Sequence, residues 1–548
     1  MKEGFRQSMA WLHTWSGLLV CWILFLVFFA GTASYFRDEI SLWMKPELHA
    51  AAAAPVPAAQ AIDKAVHMLE KDGAGASRWF ITLPDERNQA VAVTWIAQPE
   101  PGKKGRGKVE RAQLNPATGE RLAEVRETRG GEFIYRLHYD LHYMPAIWAR
   151  WIVGFCAMFM LVAIVSGVIT HKRIFKDFFT FRPKKGQRSW LDAHNAVAVL
   201  ALPYHLMITY TGLVTLMFLY MPFGIQAAYK GDDKAFNAEA FRQAENKKPA
   251  NISAPLAPLA PMLAQAEKHW NGGAVGRVTI NNPGDAHATV QITREQEKKL
   301  SNSRQSMQFD GVSGAYLSSV GDETSTAVEA RGVLYGLHIA NFANPLLRTL
   351  FFLCGLAGCA MVATGALLWA VKKRQGYAKE LAKGGRIGFG LRLVDGLNIG
   401  AIAGLPIALA AYFWANRLLA VGIEKRIETE ISWFFIAWGA AAVLAHIRPN
   451  RRMWQWQLMV GGLLFALIPV LNIFTTNSHL GVTLLQGKGP WAVAGFDLVA
   501  FAFGLSLLYA AKRLGQKKAL PKAKTVEKAM AKDRVDSAVS YTHLTLPT

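Results

Sequence analysis

At 548 residues the chain is long enough for several soluble domains, yet 52% of it is hydrophobic and only 18% charged, with seventeen Trp and thirty Phe. That excludes global disorder and a purely soluble protein. The 61 Lys and Arg against 39 Asp and Glu give a formal charge of +22. Because the basic residues stand in short loops between apolar runs, the charge points to a membrane lipid environment rather than to nucleic acid.

Eight apolar runs approach the ~20 residues needed to cross a bilayer, near 11–35, 146–170, 191–220, 346–371, 396–420, 431–447, 455–475 and 490–511. The first run exceeds a typical signal-peptide core, and FFAGTASYFRDE offers no clean small-x-small cleavage site, so it is read as a retained anchor. The Lys/Arg-rich segments 172–189, 372–394, RPNRR at 448–452 and 512–538 all fall on one side if both termini are cytoplasmic. This orientation predicts a multi-pass protein of the bacterial inner membrane, with stretches 37–144 and 221–337 in the periplasm. Each stretch reads as a helix followed by short strands: AIDKAVHMLEKDG before RWFITL and AVAVTWIA, then APMLAQAEKHW before GRVTINN and ATVQITRE. The expected fold class is a mainly α membrane protein with two α+β inserts and four additional spans over 395–511. Residues 539–548, VSYTHLTLPT, look like a translated sequencing adaptor, so the natural C-terminus is expected to be missing.

An internal repeat runs through the first four spans. YRLH (135–138) and YGLH (335–338) lie 200 residues apart, and Pro145 and Pro345 keep that offset. His13 precedes Gly31, and His194 precedes Gly212, by eighteen residues each. Span–insert–span therefore reads as occurring twice, over 11–171 and 191–371, as a duplicated bundle.

The motifs WLHTWSGLL, LHYDLHYMPAIWARWIVG, GVITHKRIFKDFFTFRP, SWLDAHNAVAVLALPYHLMITYTGL and GLHIANFANPLLRTLFFLCGLAG resemble the PepSY-associated transmembrane proteins over roughly residues 1–375. The resemblance implies PepSY-like inserts and a link to iron uptake. In particular it implies the siderophore-reductase branch, with a four-helix core and two haem b groups. The last four spans lie outside the resemblance.

Ligand-capable residues inside membrane helices default to function. His194 and His205 are eleven residues apart, roughly 20° past three helical turns and ~16 Å along the axis, which suits two stacked haem sites; hydrogen-bonded core histidines are the plainer reading. His13, the repeat equivalent of His194, and His171, at the end of the second span, compete as its partner. On the other side, His138 and His338 could pair with His205 or with each other, and His142 could replace His138. From His171 back to His138 is ~50 Å of straight helix, so His138 stands at or above the surface unless the chain folds back. His49, His67, His269 and His287 are expected to face solvent. Gly17, Gly31, Gly167, Gly212 and Gly365 could admit a close helix or a porphyrin.

The four Cys (Cys21, Cys156, Cys354, Cys359) form no C-x-x-C or C-x-x-C-H, so any haem is non-covalent. Dinucleotide and Walker motifs are absent, and electrons would come from a quinol or a separate donor protein. The expected activity is a haem-dependent membrane oxidoreductase reducing a ferric siderophore or other ferric chelate. The alternative is a non-enzymatic protein whose inserts bind peptides or restrain a peptidase. A catalytic residue cannot be named.

Overall fold

The computed structural model describes residues 4–516 except 50–55, 86, 98–106, 123–124, 172–181, 183–184, 233, 238–246, 297, 323–324 and 379–381. The tail 539–548 and most of the basic loop 172–189 lie outside the described residues. Among those described, seven helices are long and apolar enough to cross a membrane, and a bent pair supplies an eighth.

Helix α1 (Phe5–Ser34) leads into the short α2 (Arg37–Trp43). Next come α3 (Ala58–Asp72), the strands β1 (Arg78–Thr82), β2 (Val91–Ile96) and β3 (Val109–Leu114), and then α4 (Gly130–Asp140) and α5 (Ala146–Thr170). The third expected span is broken. Helices α6 (Gln187–Leu200) and α7 (Leu202–Thr215) meet at 68°. Pro203, in the first turn of α7, has no N–H to continue the helical ladder.

Beyond two short helical turns, Met217–Tyr220 and Phe223–Tyr229, the order repeats. Helix α8 (Leu259–His269) precedes β4 (Val275–Asn281), β5 (Thr289–Arg294), β6 (Ser306–Asp310) and β7 (Tyr316–Val320). Then come α9 (Thr326–Ile339) and α10 (Pro345–Gly376).

The strands of the two polar stretches share a single antiparallel sheet, in the order β3-β2-β1-β4-β5-β6-β7. Its centre is the β1–β4 pairing, with Ile81 opposite Val278 and Phe80 opposite Thr279. Side chains alternate across a strand. Trp79 and Ile81 of β1, with Val278 and Ile280 of β4, are buried together with Ile62 and Leu69 of α3 and Met262 and Leu263 of α8. Both helices therefore cover one face. The opposite face is polar.

The remaining spans are α11 (Phe389–Asn398) continuing through the π-helical turn Ile399–Ala403 into α12 (Gly404–Leu418), α13 (Arg426–Ile447), α14 (Arg451–Ala466) with α15 (Ile468–Thr475), and α16 (Trp491–Gly515). They pack on α1 and α2 through polar contacts as well as apolar ones. Trp22 donates to Asn398 at 2.8 Å, and Trp43 donates to the buried Asp497 at 2.8 Å. Helix α13 starts five residues before the apolar run at 431 because it carries the fully buried ion pair Arg426–Glu430 in its first turns.

Candidate functional site

Helix α4 answers the depth question for His138. Leu141, His142 and Tyr143 have φ of 52°, 54° and 47°, and these successive left-handed residues turn the chain between α4 and α5. His138 is thereby folded back against α1. Its Nδ1 lies 2.6 Å from the carbonyl oxygen of Val27. Ala340, at φ 54°, makes the corresponding turn between α9 and α10 and places His338 against α7.

Four histidines share one local geometry. His13 Nδ1 is 2.8 Å from the Ala163 carbonyl, and His194 Nδ1 is 3.0 Å from that of Met361. His338 Nδ1 is 3.1 Å from the Thr211 hydroxyl and also engages the Ile208 carbonyl. Each carbonyl belongs to the residue four before a glycine, and that glycine lies under the imidazole. A Cβ would come within 2.7 Å of His138 at Gly31, 3.0 Å of His13 at Gly167, 3.2 Å of His194 at Gly365 and 3.0 Å of His338 at Gly212. A carbonyl only accepts, and the Thr211 hydroxyl donates its own proton to the Met207 carbonyl, so each Nδ1 carries the proton and Nε2 presents its lone pair.

These rings come together in two pairs. The centroids of His13 and His194 are 6.3 Å apart, and those of His138 and His338 are 6.0 Å apart. The second pair lies toward the sheet, in a cavity of about 440 Å³. Gly31 and Gly212 line its wall, and its polar end carries Tyr135, Tyr335, Arg37, Asn302 and Arg304. Tyr135 and Tyr335 both line this end, and burial pushes the Tyr135 phenol up. Arg37 sits over the Tyr135 ring at 5.1 Å.

Two expected residues stand apart from both pairs. His171 Nε2 is 2.8 Å from the Asn195 amide nitrogen, which therefore donates to it, so the structure brings His13 rather than His171 to His194. His205 is fully buried, edge-on to Phe28 at 6.2 Å. Neither of its ring nitrogens completes a hydrogen bond, although the Cys354 and Ala198 carbonyls are neighbours. His142 stacks on Phe435 at 5.4 Å. Gly17 has open space where its Cβ would be. Contrary to the expectation of solvent exposure, His49 is buried, with Nε2 2.9 Å from the Leu42 carbonyl.

Sequence reasoning missed the carbonyl partners, whose only signal is their spacing of four residues before each glycine. It also missed the cavity tyrosines, although Tyr135 and Tyr335 begin the two repeated tetrapeptides.

Among the described residues, no group of three or more His, Cys, Asp or Glu side chains gathers to hold a metal ion. The pairs thus offer two imidazoles each, which suits a metal whose remaining ligands arrive with a macrocycle. With metal–imidazole bonds of about 2 Å, two imidazoles sharing one metal ion would have centroids roughly 6 Å apart, close to the 6.3 and 6.0 Å of the two pairs.

A comparison with curated proteins finds no match. The family model for the PepSY-associated TM region matches residues 10–372, which span both histidine pairs and the whole sheet. The chain belongs to the PepSY-associated TM family.

Proposed function

We propose that the protein is a b-type di-haem oxidoreductase of the bacterial inner membrane that passes electrons to a ferric siderophore or other ferric chelate in the periplasm. His13 and His194 would hold one haem, and His138 and His338 the other. When bound, the two groups would supply one-electron relay positions, and two histidines for each would suit electron transfer.

The observation that carries this reading is the fourfold arrangement of imidazole, glycine and carbonyl. Each Nδ1 proton held by a carbonyl, or for His338 by the Thr211 hydroxyl, fixes the ring and its tautomer, the second-shell role metal-bound imidazoles require. Each glycine leaves room beside the ring where a side chain would clash. The electron source is a quinol or a separate donor protein at the end of the bundle far from the sheet. Reduction of Fe(III) to the softer Fe(II) weakens its hold by hard oxygen donors and so releases it.

The same arrangement supports the finer reading of the fold. We infer that 11–171 and 191–371 are copies of one span–insert–span unit whose two PepSY-like inserts merged edge to edge. The antiparallel β1–β4 pairing lies where a twofold relation between copies would put it. The Lys/Arg-rich segments support a cytoplasmic location for both termini.

The test is the absorption spectrum of the purified full chain with a haem-to-protein ratio. Two haem b per chain with sharp reduced α-bands are expected. A colourless preparation sinks the reductase and favours a peptide-binding protein.

A further inference from the structure

The sheet face turned away from α3 and α8 is basic. Register puts Arg111 opposite Thr94, Thr94 opposite Phe80 and Thr82 opposite Arg277. Arg78, two residues before Phe80, shares that side of β1. The Thr82–Arg277 end of the sheet sits on the bundle, since Arg87, between β1 and β2, pairs with Asp38 and Glu39 of α2 at 2.6 and 2.5 Å. Arg304, in the loop before β6, lines the cavity, and register aligns Arg277 of β4 with Thr293 and Thr293 with Ser306, two residues after Arg304, so the two guanidiniums stand at the same end of the sheet. The loop is seated directly on α9: the Leu300 carbonyl lies against Gly336, and Ser301 and Ser303 lie against Gly332. Arg304 lines the same cavity as His138 and His338.

The guanidiniums that line the cavity beside Arg304 have carboxylate partners. Arg150 pairs with Asp140 at 2.9 Å, and Arg37 pairs with Asp38 at 3.3 Å. Arg277 and Arg304 differ: Arg277 donates to the Thr82 hydroxyl and Arg304 to the Gln296 side-chain carbonyl. Among the described residues no carboxylate pairs with either. Both are exposed. Two mutually repelling guanidiniums at the mouth of a cavity gain most from an incoming anion with oxygen acceptors, which each can bind through two N–H groups.

We propose that Arg277 and Arg304 form the docking site for a negatively charged, oxygen-donor ferric chelate at the mouth of the His138–His338 cavity. This rests on reading that cavity as the end where electrons leave, and it narrows the substrate from ferric chelates in general to anionic ones. Cationic chelates are repelled by the same pair.

The experiment is calorimetric titration of the full chain in detergent with gallium(III) citrate, which is anionic and redox-inert. The comparison ligand is a gallium(III) trihydroxamate bearing a free ammonium group. The citrate complex should bind more tightly, and its affinity should fall as salt is raised. Arg277→Gln with Arg304→Gln should weaken it by roughly tenfold per guanidinium, with haem content unchanged. Arg277→Lys with Arg304→Lys, which keeps the charge, should retain most of the affinity and so controls for folding. Equal or tighter binding of the cationic complex, or unchanged citrate binding in the double Gln variant, overturns the proposal. So does loss of haem in step with the guanidiniums, which would assign them to haem propionates. Failure of the di-haem reading shows separately, as a missing α-band in the unmodified protein.

Discussion

His138 Nδ1 lies 2.6 Å from the Val27 carbonyl, one helical turn before Gly31, over which the same ring is seated. One stretch of α1 thus provides both the acceptor that orients the imidazole and the gap that admits it. The same helix carries His13 eighteen residues earlier, so α1 contributes a histidine to one pair and a glycine cradle to the other. Helices α6 and α7 do likewise with His194 and Gly212.

Substituting the cradle should empty one site without touching a ligand. Gly31→Val puts a branched side chain where even a Cβ would be 2.7 Å from His138. The haem-to-protein ratio should fall from about two to about one, with the His13–His194 site filled. Gly17→Val, where a Cβ has open space, should leave the ratio unchanged. Equal loss in both variants would make the effect one of general helix packing.

The ligand assignment makes a second, sharper contrast. His194→Ala and His13→Ala should each remove the same haem. His171→Ala should keep both, because its described partner is Asn195. His205→Ala should also keep both, since its ring belongs to neither pair. Haem loss in His205→Ala with normal loading of His13→Ala would reverse the pairing.

The histidines, the glycines and the repeat offsets were legible in the sequence, because ligand-capable residues are rare within apolar runs. The pairing was not legible. It depends on the fold-back at Leu141–Tyr143, where three non-glycine residues adopt left-handed φ without a Gly to signal it. The single sheet was hidden for a similar reason: alternation identifies a strand but not which edge, β1 or β4, meets which. Helix α13 was read short because Arg426 and Glu430 look like a loop until their burial as a pair is seen.

That pair gives a prediction for the last four helices. Arg426 and Glu430 are 1% and 0% exposed, and Glu430 also accepts from Asn416 and from Thr128 in the segment leading to α4. Arg426 donates to the Glu127 carbonyl as well. Glu430→Ala leaves a buried guanidinium uncompensated, a loss of about 3–5 kcal/mol. Thermal unfolding in detergent should show it as a lower midpoint, and protease cleavage between Ala117 and Thr128 should accelerate. An unchanged midpoint would mean that the four helices do not anchor this segment.

His49 should give the fold a pH dependence. Burial lowers its pKa from 6.5 to about 4, and its Nδ1, 3.4 Å from the Thr476 hydroxyl, can accept only while the ring is neutral. The unfolded chain binds the proton more readily between those two values, so His49's contribution is fully present above pH 6.5. It declines as pH falls toward 4. His49→Gln should flatten that part of the stability curve by a few kcal/mol. A variant whose curve parallels the parent through the whole window would remove His49 as the source.

Sidedness decides the direction of electron flow, and labelling can read it. On the proposed orientation the sheet faces the periplasm and the start of α6 the cytoplasm. Cys21, Cys156 and Cys359 are buried and Cys354 is partly so, so each is replaced by Ala, a small apolar residue without a thiol, to give a background free of competing labels. In that background, Cys at Ala117 or Ser313, both exposed beside the sheet, should react with an impermeant maleimide in intact cells. Cys at Gln187, in the first turn of α6, should react only after the membrane is opened. If Gln187 alone reacts in intact cells, the sheet is cytoplasmic. The His138–His338 cavity would then open inward, and an external iron chelate could not reach Arg277 and Arg304.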